Sequence, residues 1–151
     1  MNSKETNHHC SVVEIAGTGV LIEGSSGTGK TSVALGLLEA SRNRGLDCAF
    51  VCDDQAKLSV AAGKINASAP ETISGLVELH GYGITEIEYK PNCTVELVAR
   101  LVKESDVERM PDPCETDLLG VNLPLLKLPR LHESQSVRII LAWLKDTGRL
   151  G

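Results

Sequence analysis

Gly24-Ser25-Ser26-Gly27-Thr28-Gly29-Lys30-Thr31 decides the reading of this chain. The run fits G-x-x-x-x-G-K-S/T, and its flanks supply the context that the pattern needs. Before it, residues 20–23 are β-rich and apolar. After it, Val33, Ala34, Leu37, Leu38 and Ser41 recur at three-to-four spacing, with Gly45 as a stop, which predicts a helix over residues 31–44. Residues 48–52, Cys-Ala-Phe-Val-Cys, form a short apolar run of the kind found in a strand buried on both faces. Strand, glycine-rich loop, helix and strand make a β-α-β unit. The glycines let backbone N–H groups turn toward a polyphosphate, and the helix N-terminus adds the positive end of its dipole. Lys30 is placed for the β and γ phosphates and the Thr31 hydroxyl for Mg²⁺, so ATP with Mg²⁺ is the expected ligand.

Outward from this unit, residues 11–16 pair with 20–23 as a hairpin across Gly17-Thr18-Gly19. Residues 57–60 and 64–67 are small strands turning at Ala62-Gly63, and 85–89 and 123–128 are further strand candidates. Residues 94–102 suit a strand or a helix. Residues 104–117, rich in charge and Pro, read as a mobile connection able to act as a flap. The apolar face Val137, Ile140, Leu141 and Leu144 predicts a last helix over 136–145.

The 151 residues suit one domain, residues 1–151, with 1–7 expected to be disordered. A formal charge of −5 and only four aromatic residues (Phe50, Tyr82, Tyr89, Trp143) leave neither a basic field nor stacking platforms, which argues against nucleic acid as a partner. No apolar run is long enough to span a bilayer, and the N-terminus lacks the apolar core of a signal peptide, so no membrane partner and a cytoplasmic location are expected. Five cysteines without a paired C-x-x-C spacing indicate reduced thiols.

Asp53 and Asp54 follow the buried strand, at the end of the sheet where the phosphate loop also opens. One carboxylate there can hold Mg²⁺ while the other accepts a proton from a hydroxyl nucleophile. Glu78, in Gly75-Leu-Val-Glu-Leu-His-Gly-Tyr-Gly83, suits either a metal ligand beside a glycine bend or an edge-strand glutamate facing water. His9 stands in a polar segment beside His8.

The order of these motifs resembles the catalytic domain of bacterial HPr kinase/phosphorylase. Residues 9–22 are similar to that family's histidine-led hairpin running into the phosphate loop, Asp53-Asp54 to its paired aspartates, and residues 77–84 to its Glu-Ile-Arg-Gly signature. Val107-Glu-Arg109-Met resembles the segment bearing a functional arginine, and residues 123–129 a late strand bounded by prolines. The resemblance implies an α/β, P-loop-containing domain with a mixed central β-sheet flanked by helices, as in HPr kinases and phosphoenolpyruvate carboxykinases. It further implies a short form of the C-terminal catalytic domain only, acting as a homo-oligomeric, ATP-dependent serine kinase on an HPr-type phosphocarrier of the phosphotransferase system. In that reading residues 24–31 bind ATP or pyrophosphate, and Thr31, Glu78 and Asp53 lie at Mg²⁺. Asp54 is the proton acceptor, with Lys30, Asp53, His9 and Arg109 as the other catalytic residues. Ser32 stands where the family has an acid and His80 where it has arginine, while Glu133-Ser134 replaces a late Gly-Arg tied to dephosphorylation. Weak or absent phosphorylase activity follows as an expectation. The alternatives are a nucleotide-sensing regulator without transfer and a P-loop kinase for a small-molecule hydroxyl.

Overall fold

In the computed structural model, which describes residues 5–150, the phosphate loop joins a strand of a mixed sheet to a helix packed on one face of that sheet. The chain runs through β1 (Thr6–His8), β2 (Cys10–Ile15), β3 (Thr18–Glu23), α1 (Lys30–Asn43), β4 (Cys48–Cys52), β5 (Ala56–Ala61) and β6 (Lys64–Ser68). It continues through β7 (Leu76–Leu79), β8 (Gly83–Glu86), β9 (Asn92–Val102), β10 (Cys114–Leu118), β11 (Val121–Pro129) and α2 (Glu133–Asp146).

The sheet order is β1-β5-β6-β9-β3-β2-β4, with β11 also paired to β9 and β10 to β11. The β3–β9 and β9–β11 pairs are parallel and the rest antiparallel, so the sheet is mixed. β7 and β8 form a separate hairpin. The β-α-β unit therefore differs from its simplest form, because β2 lies between β3 and β4. A tight β2–β3 turn puts β2 beside β3 first, and β4 takes the edge that β2 still offers. β3 and β4, each antiparallel to β2, still run in the same direction, so the phosphate loop and Asp53-Asp54 leave the same end of the sheet.

One face carries the main core, where Val33, Ala34, Leu37 and Leu38 of α1 and Val137, Ile140, Leu141 and Leu144 of α2 meet Val13, Ile15, Val20, Ile22, Phe50, Leu97 and Ala99. The other face is covered by the sheet itself. Cys10, Val12, Leu21, Val51 and Cys52 pack with Leu58, Ile65, Ala67, Cys93, Leu123 and Leu125, and β4 touches β6 although the two stand four places apart in the sheet order and share no hydrogen-bonded pairing, so the sheet curls. All five cysteines are free. Burial pushes the Cys52 and Cys93 thiols up to about 12 and Cys10 higher, which keeps them protonated and unreactive near neutral pH.

Several elements depart from their sequence expectation. The β2–β3 turn is the two-residue Ala16-Gly17, with φ 50° and 82°, and Gly19 lies inside β3. A Cβ there would stand 2.1 Å from the Thr94 carbonyl oxygen, so Gly19 serves close approach to β9. Residues 94–102 are strand, because β9 pairs with β3, β6 and β11 and tertiary pairing overrides the local ambiguity. Of the expected mobile connection 104–117, residues 104–106 are a 3₁₀ turn and Cys114–Leu118 is β10, held by five pairs to β11. Of the expected disordered residues 1–7, Thr6 and Asn7 are in β1, ordered by pairing to the β5 edge; residues 1–4 lie outside those described.

Candidate active site

The phosphate loop leaves β3 at Gly24, where a Cβ would stand 2.7 Å from Thr28 Oγ1 and 3.1 Å from Leu101 Cβ. Gly27 and Gly29 have φ of 80° and 96°, the left-handed region that glycine enters without strain. The buried Thr28 hydroxyl donates to the Ser25 carbonyl at 2.7 Å, and the Leu131 N–H donates to the Thr28 carbonyl at 3.1 Å, tying the β11–α2 connection to the loop. Lys30, 5% exposed, opens α1 and curls back over the loop. Its ammonium donates to the carbonyls of Gly24 (3.1 Å) and Ser25 (3.3 Å) and to His9 Nε2 (3.1 Å). None of these partners is a carboxylate, and among the described residues no carboxylate forms an ion pair with it. A buried cation held this way at a helix N-terminus suits a polyphosphate.

Asp53 is 7% exposed and collects three neutral donors. The Thr31 hydroxyl reaches Oδ1 at 2.7 Å, the Ser11 hydroxyl reaches Oδ1 at 3.1 Å, and the Glu78 N–H reaches Oδ2 at 3.3 Å. A bulge makes this arrangement. Val12 opposes Cys52 and Val13 opposes Phe50, so Val51 is an extra residue in β4. Phe50 faces the helices, whereas Val51 and Cys52 both face the second core, and Asp53 thereby returns to the helix side where Thr31 stands. Strict alternation would have sent it to the other face. Asp54 follows with φ 64°, an exposed carboxylate whose Oδ1 lies 3.4 Å from His9 Nε2.

His9 thus brings one ring nitrogen to both Lys30 and Asp54. That nitrogen can accept from Lys30 or, when it carries a ring proton, donate to Asp54, and the tautomer decides which. The structure unites Lys30, Thr31, Asp53, Asp54 and His9 of the expected site. Glu78 arrives through its backbone, with an exposed side chain on β7. Arg109 lies on the exposed stretch 108–113 and makes no hydrogen bond or ion pair among the described residues, so it is not brought to the cluster. Ser11 and Leu131 escaped the sequence reading. Ser11 is a single hydroxyl in an apolar strand, and nothing local says what it will meet.

The model of the HPr Serine kinase C-terminal domain family matches residues 2–147. The chain belongs to that family. An HPr kinase/phosphorylase of Chlorobaculum tepidum is 35% identical over 135 residues, covering 81% of this chain and 38% of that protein. One of Prosthecochloris aestuarii is 29% identical over 150 residues, covering 92% of this chain and 42% of that protein. The chain thus spans about two fifths of the length of these curated relatives. The solved HPr(Ser) kinase/phosphatase of Coxiella burnetii superposes with a TM-score of 0.77 at 23% identity, over 94% of this chain and 90% of that one, and shows the same fold.

In this member of the HPr kinase C-terminal family, Glu133-Ser134 opens α2, and a Cβ built on Gly36 would stand 2.8 Å from Glu133 Oε2. Gly36 is six residues past Lys30, roughly 9 Å along α1 at 1.5 Å per residue. The Glu133 carboxylate therefore packs on α1. Among the described residues no three His, Cys, Asp or Glu side chains gather as metal ligands. Mg²⁺ needs no such cage, since it binds one or two carboxylates plus phosphate oxygens and water. Asp53 with Thr31 Oγ1 is a donor set of that kind, and a buried carboxylate with only neutral partners favours a cation beside it.

Glu23, the residue before the loop, is held by His8 Nε2 at 2.9 Å and Arg100 Nε at 2.6 Å, and Arg100 also donates to Thr116 at 3.2 Å. The His8 hydrogen bond, with Arg100 behind it, holds the Glu23 carboxyl below its ordinary 4.5. A depressed carboxyl stabilises the fold fully above its unfolded value and loses that contribution as pH falls through the folded one. Glu23→Gln is therefore expected to lower stability near neutrality and to flatten the acid limb. Urea unfolding between about pH 6 and pH 3 checks this, and parallel curves for variant and wild type would refute it.

Proposed function

We propose that this domain transfers the γ-phosphoryl group of Mg²⁺-ATP to a serine hydroxyl of an HPr-type phosphocarrier protein. The observation that carries the reading is the convergence of Lys30, the Thr31–Asp53 pair and the exposed Asp54 at the mouth of one phosphate loop. Lys30 neutralises the β and γ oxygens, Thr31 and Asp53 hold the metal with Glu78 beside them, and Asp54 takes the serine proton. His9, beside Lys30 and Asp54, and Arg109, once its exposed segment closes on bound nucleotide, are accessory phosphate-handling residues.

One feature favours a protein acceptor over a metabolite. At the loop Leu131 is 72% exposed, and Tyr82 and Ile84 are 79% and 70% exposed on the hairpin that touches Asp53. Solvated apolar side chains at the rim suit a docked protein.

The test is incubation with γ-labelled ATP, Mg²⁺ and a purified HPr-type carrier. Label on a carrier serine, lost with EDTA, is the expected result. Nucleotide binding without label on the carrier would replace this reading with nucleotide sensing, and label on a small hydroxyl compound alone would replace it with a metabolite kinase.

The reverse reaction is expected to be slow, because the late Gly-Arg that the family resemblance ties to dephosphorylation is replaced in this sequence by Glu133-Ser134. Loss of a charge-assisted phosphate contact of roughly 1.5–3 kcal/mol corresponds to about ten- to a hundred-and-fifty-fold. Pyrophosphate release from serine-phosphorylated carrier and inorganic phosphate measures it. Reverse turnover equal to forward turnover would assign the missing contact to Arg109.

A further inference from the structure

Ser11 sits at the centre of the paired aspartates without being one of the expected site residues. It is 0% exposed and lies on β2, on the same face as Val13 and Ile15, toward the helices. Its hydroxyl donates to Asp53 Oδ1 at 3.1 Å and accepts the Asp54 N–H at 3.2 Å. Both capacities of one buried hydroxyl are thus spent on the two neighbouring acids.

The second bond bears on backbone strain. Asp54 has φ 64°, and the Gln55 N–H donates to the Asp53 carbonyl at 2.7 Å, a three-residue turn centred on Asp54. A non-glycine residue keeps such a conformation only where its surroundings hold it. Here β2 holds it from both sides, through the Cys10 N–H to the Asp54 carbonyl at 3.1 Å and the Asp54 N–H to Ser11 Oγ. The first clasp is main chain. The second depends on a single side chain.

We propose that Ser11 is a positioning residue coupling the two aspartates: its hydroxyl orients the Asp53 carboxylate and holds the turn that projects Asp54. The functional part of this rests on the kinase reading above, with Asp53 at the metal and Asp54 as proton acceptor. Thr31 shares its oxygen with the cation in that reading, whereas Ser11, closed off from solvent, serves the aspartates alone.

The experiment compares Ser11→Thr with Ser11→Val, which share a shape and differ in the hydroxyl, and adds Ser11→Ala. Amide hydrogen exchange at Asp54 needs no substrate or metal. Protection is expected in wild type and Ser11→Thr, with exchange at least about tenfold faster in Ser11→Val and Ser11→Ala. With ADP present, Mn²⁺ half-saturation followed by electron paramagnetic resonance is expected to rise about ten- to a hundredfold in the two variants without a hydroxyl, with metal-free nucleotide affinity unchanged. kcat should fall with them, while KM for the carrier stays level. If the added methyl unfolds both β-branched variants, Ser11→Ala decides alone. Wild-type Asp54 exchange and Mn²⁺ half-saturation in Ser11→Ala, or equal values in folded Ser11→Thr and Ser11→Val, would overturn the proposal. A wild-type domain that shows these effects but never labels the carrier would sink the kinase reading and leave the role of Ser11 standing.

Discussion

Lys30→Ala is expected to abolish phosphoryl transfer, by at least about the 10²–10³-fold that follows loss of one preorganised donor to a developing charge. The expectation rests on the isolation of this ammonium. It is nearly buried, it is bound to the carbonyls of Gly24 and Ser25 and to His9 Nε2, and it pairs with no carboxylate among the described residues. Its charge is thus free to be matched by β and γ phosphate oxygens, and no second lysine stands in the loop. The fold should persist, because the apolar residues of α1 that meet the main core, from Val33 to Leu38, are untouched. Circular dichroism and thermal unfolding confirm that the variant is folded, and labelling of the carrier gives the rate. A folded Lys30→Ala protein retaining most of its transfer would show that this loop is not where phosphoryl chemistry occurs.

Asp54→Asn should lower kcat by about 10²–10⁴-fold, the range for a lost general base, with ATP affinity almost unchanged. Asparagine is the appropriate replacement because it also tolerates the left-handed backbone that Asp54 adopts at φ 64°, so the chemistry changes without added strain. Asp53→Asn should behave differently. It alters a buried carboxylate that receives the Thr31 and Ser11 hydroxyls and the Glu78 N–H, and the expected signature is a raised Mg²⁺ requirement. Rates measured across a Mg²⁺ titration separate the two. Should Asp53→Asn remove the rate at saturating Mg²⁺ while Asp54→Asn stays near wild type, the roles exchange.

Both predictions follow from residues legible in the chain itself, and the reason is local. A phosphate loop is a short-range device: glycines for a turn that admits backbone N–H groups, a lysine, a hydroxyl, a strand before and an amphipathic helix after, all within about twenty residues. The helix over residues 31–44 needed only its own periodicity and Gly45, and it differs from α1 by one residue at each end. Where local pattern was ambiguous, as over residues 94–102, pairing on both sides of β9 decided for strand. Where composition suggested a mobile segment, at 114–117, the hairpin with β11 absorbed it. Propensity is a weak prior against a partner strand that completes its hydrogen bonds.

From sequence alone came the phosphate loop with Lys30 and Thr31, the acidic pair after the next buried strand, the two amphipathic helices, and the family resemblance. Only the tertiary structure decided which way those acids point. The extra residue Val51 shifts the parity of β4, so Asp53 meets Thr31 and Ser11 on the helix side, and the clasp from β2 turns Asp54 outward toward His9. It likewise packed Glu133 on α1 and left Arg109 on an exposed segment. The physical reason is that a strand's side chains alternate with a period of two, so one inserted residue reverses every later direction. Whether a strand contains that residue depends on its register against a neighbour some forty positions away, a relation that no local pattern of residues records.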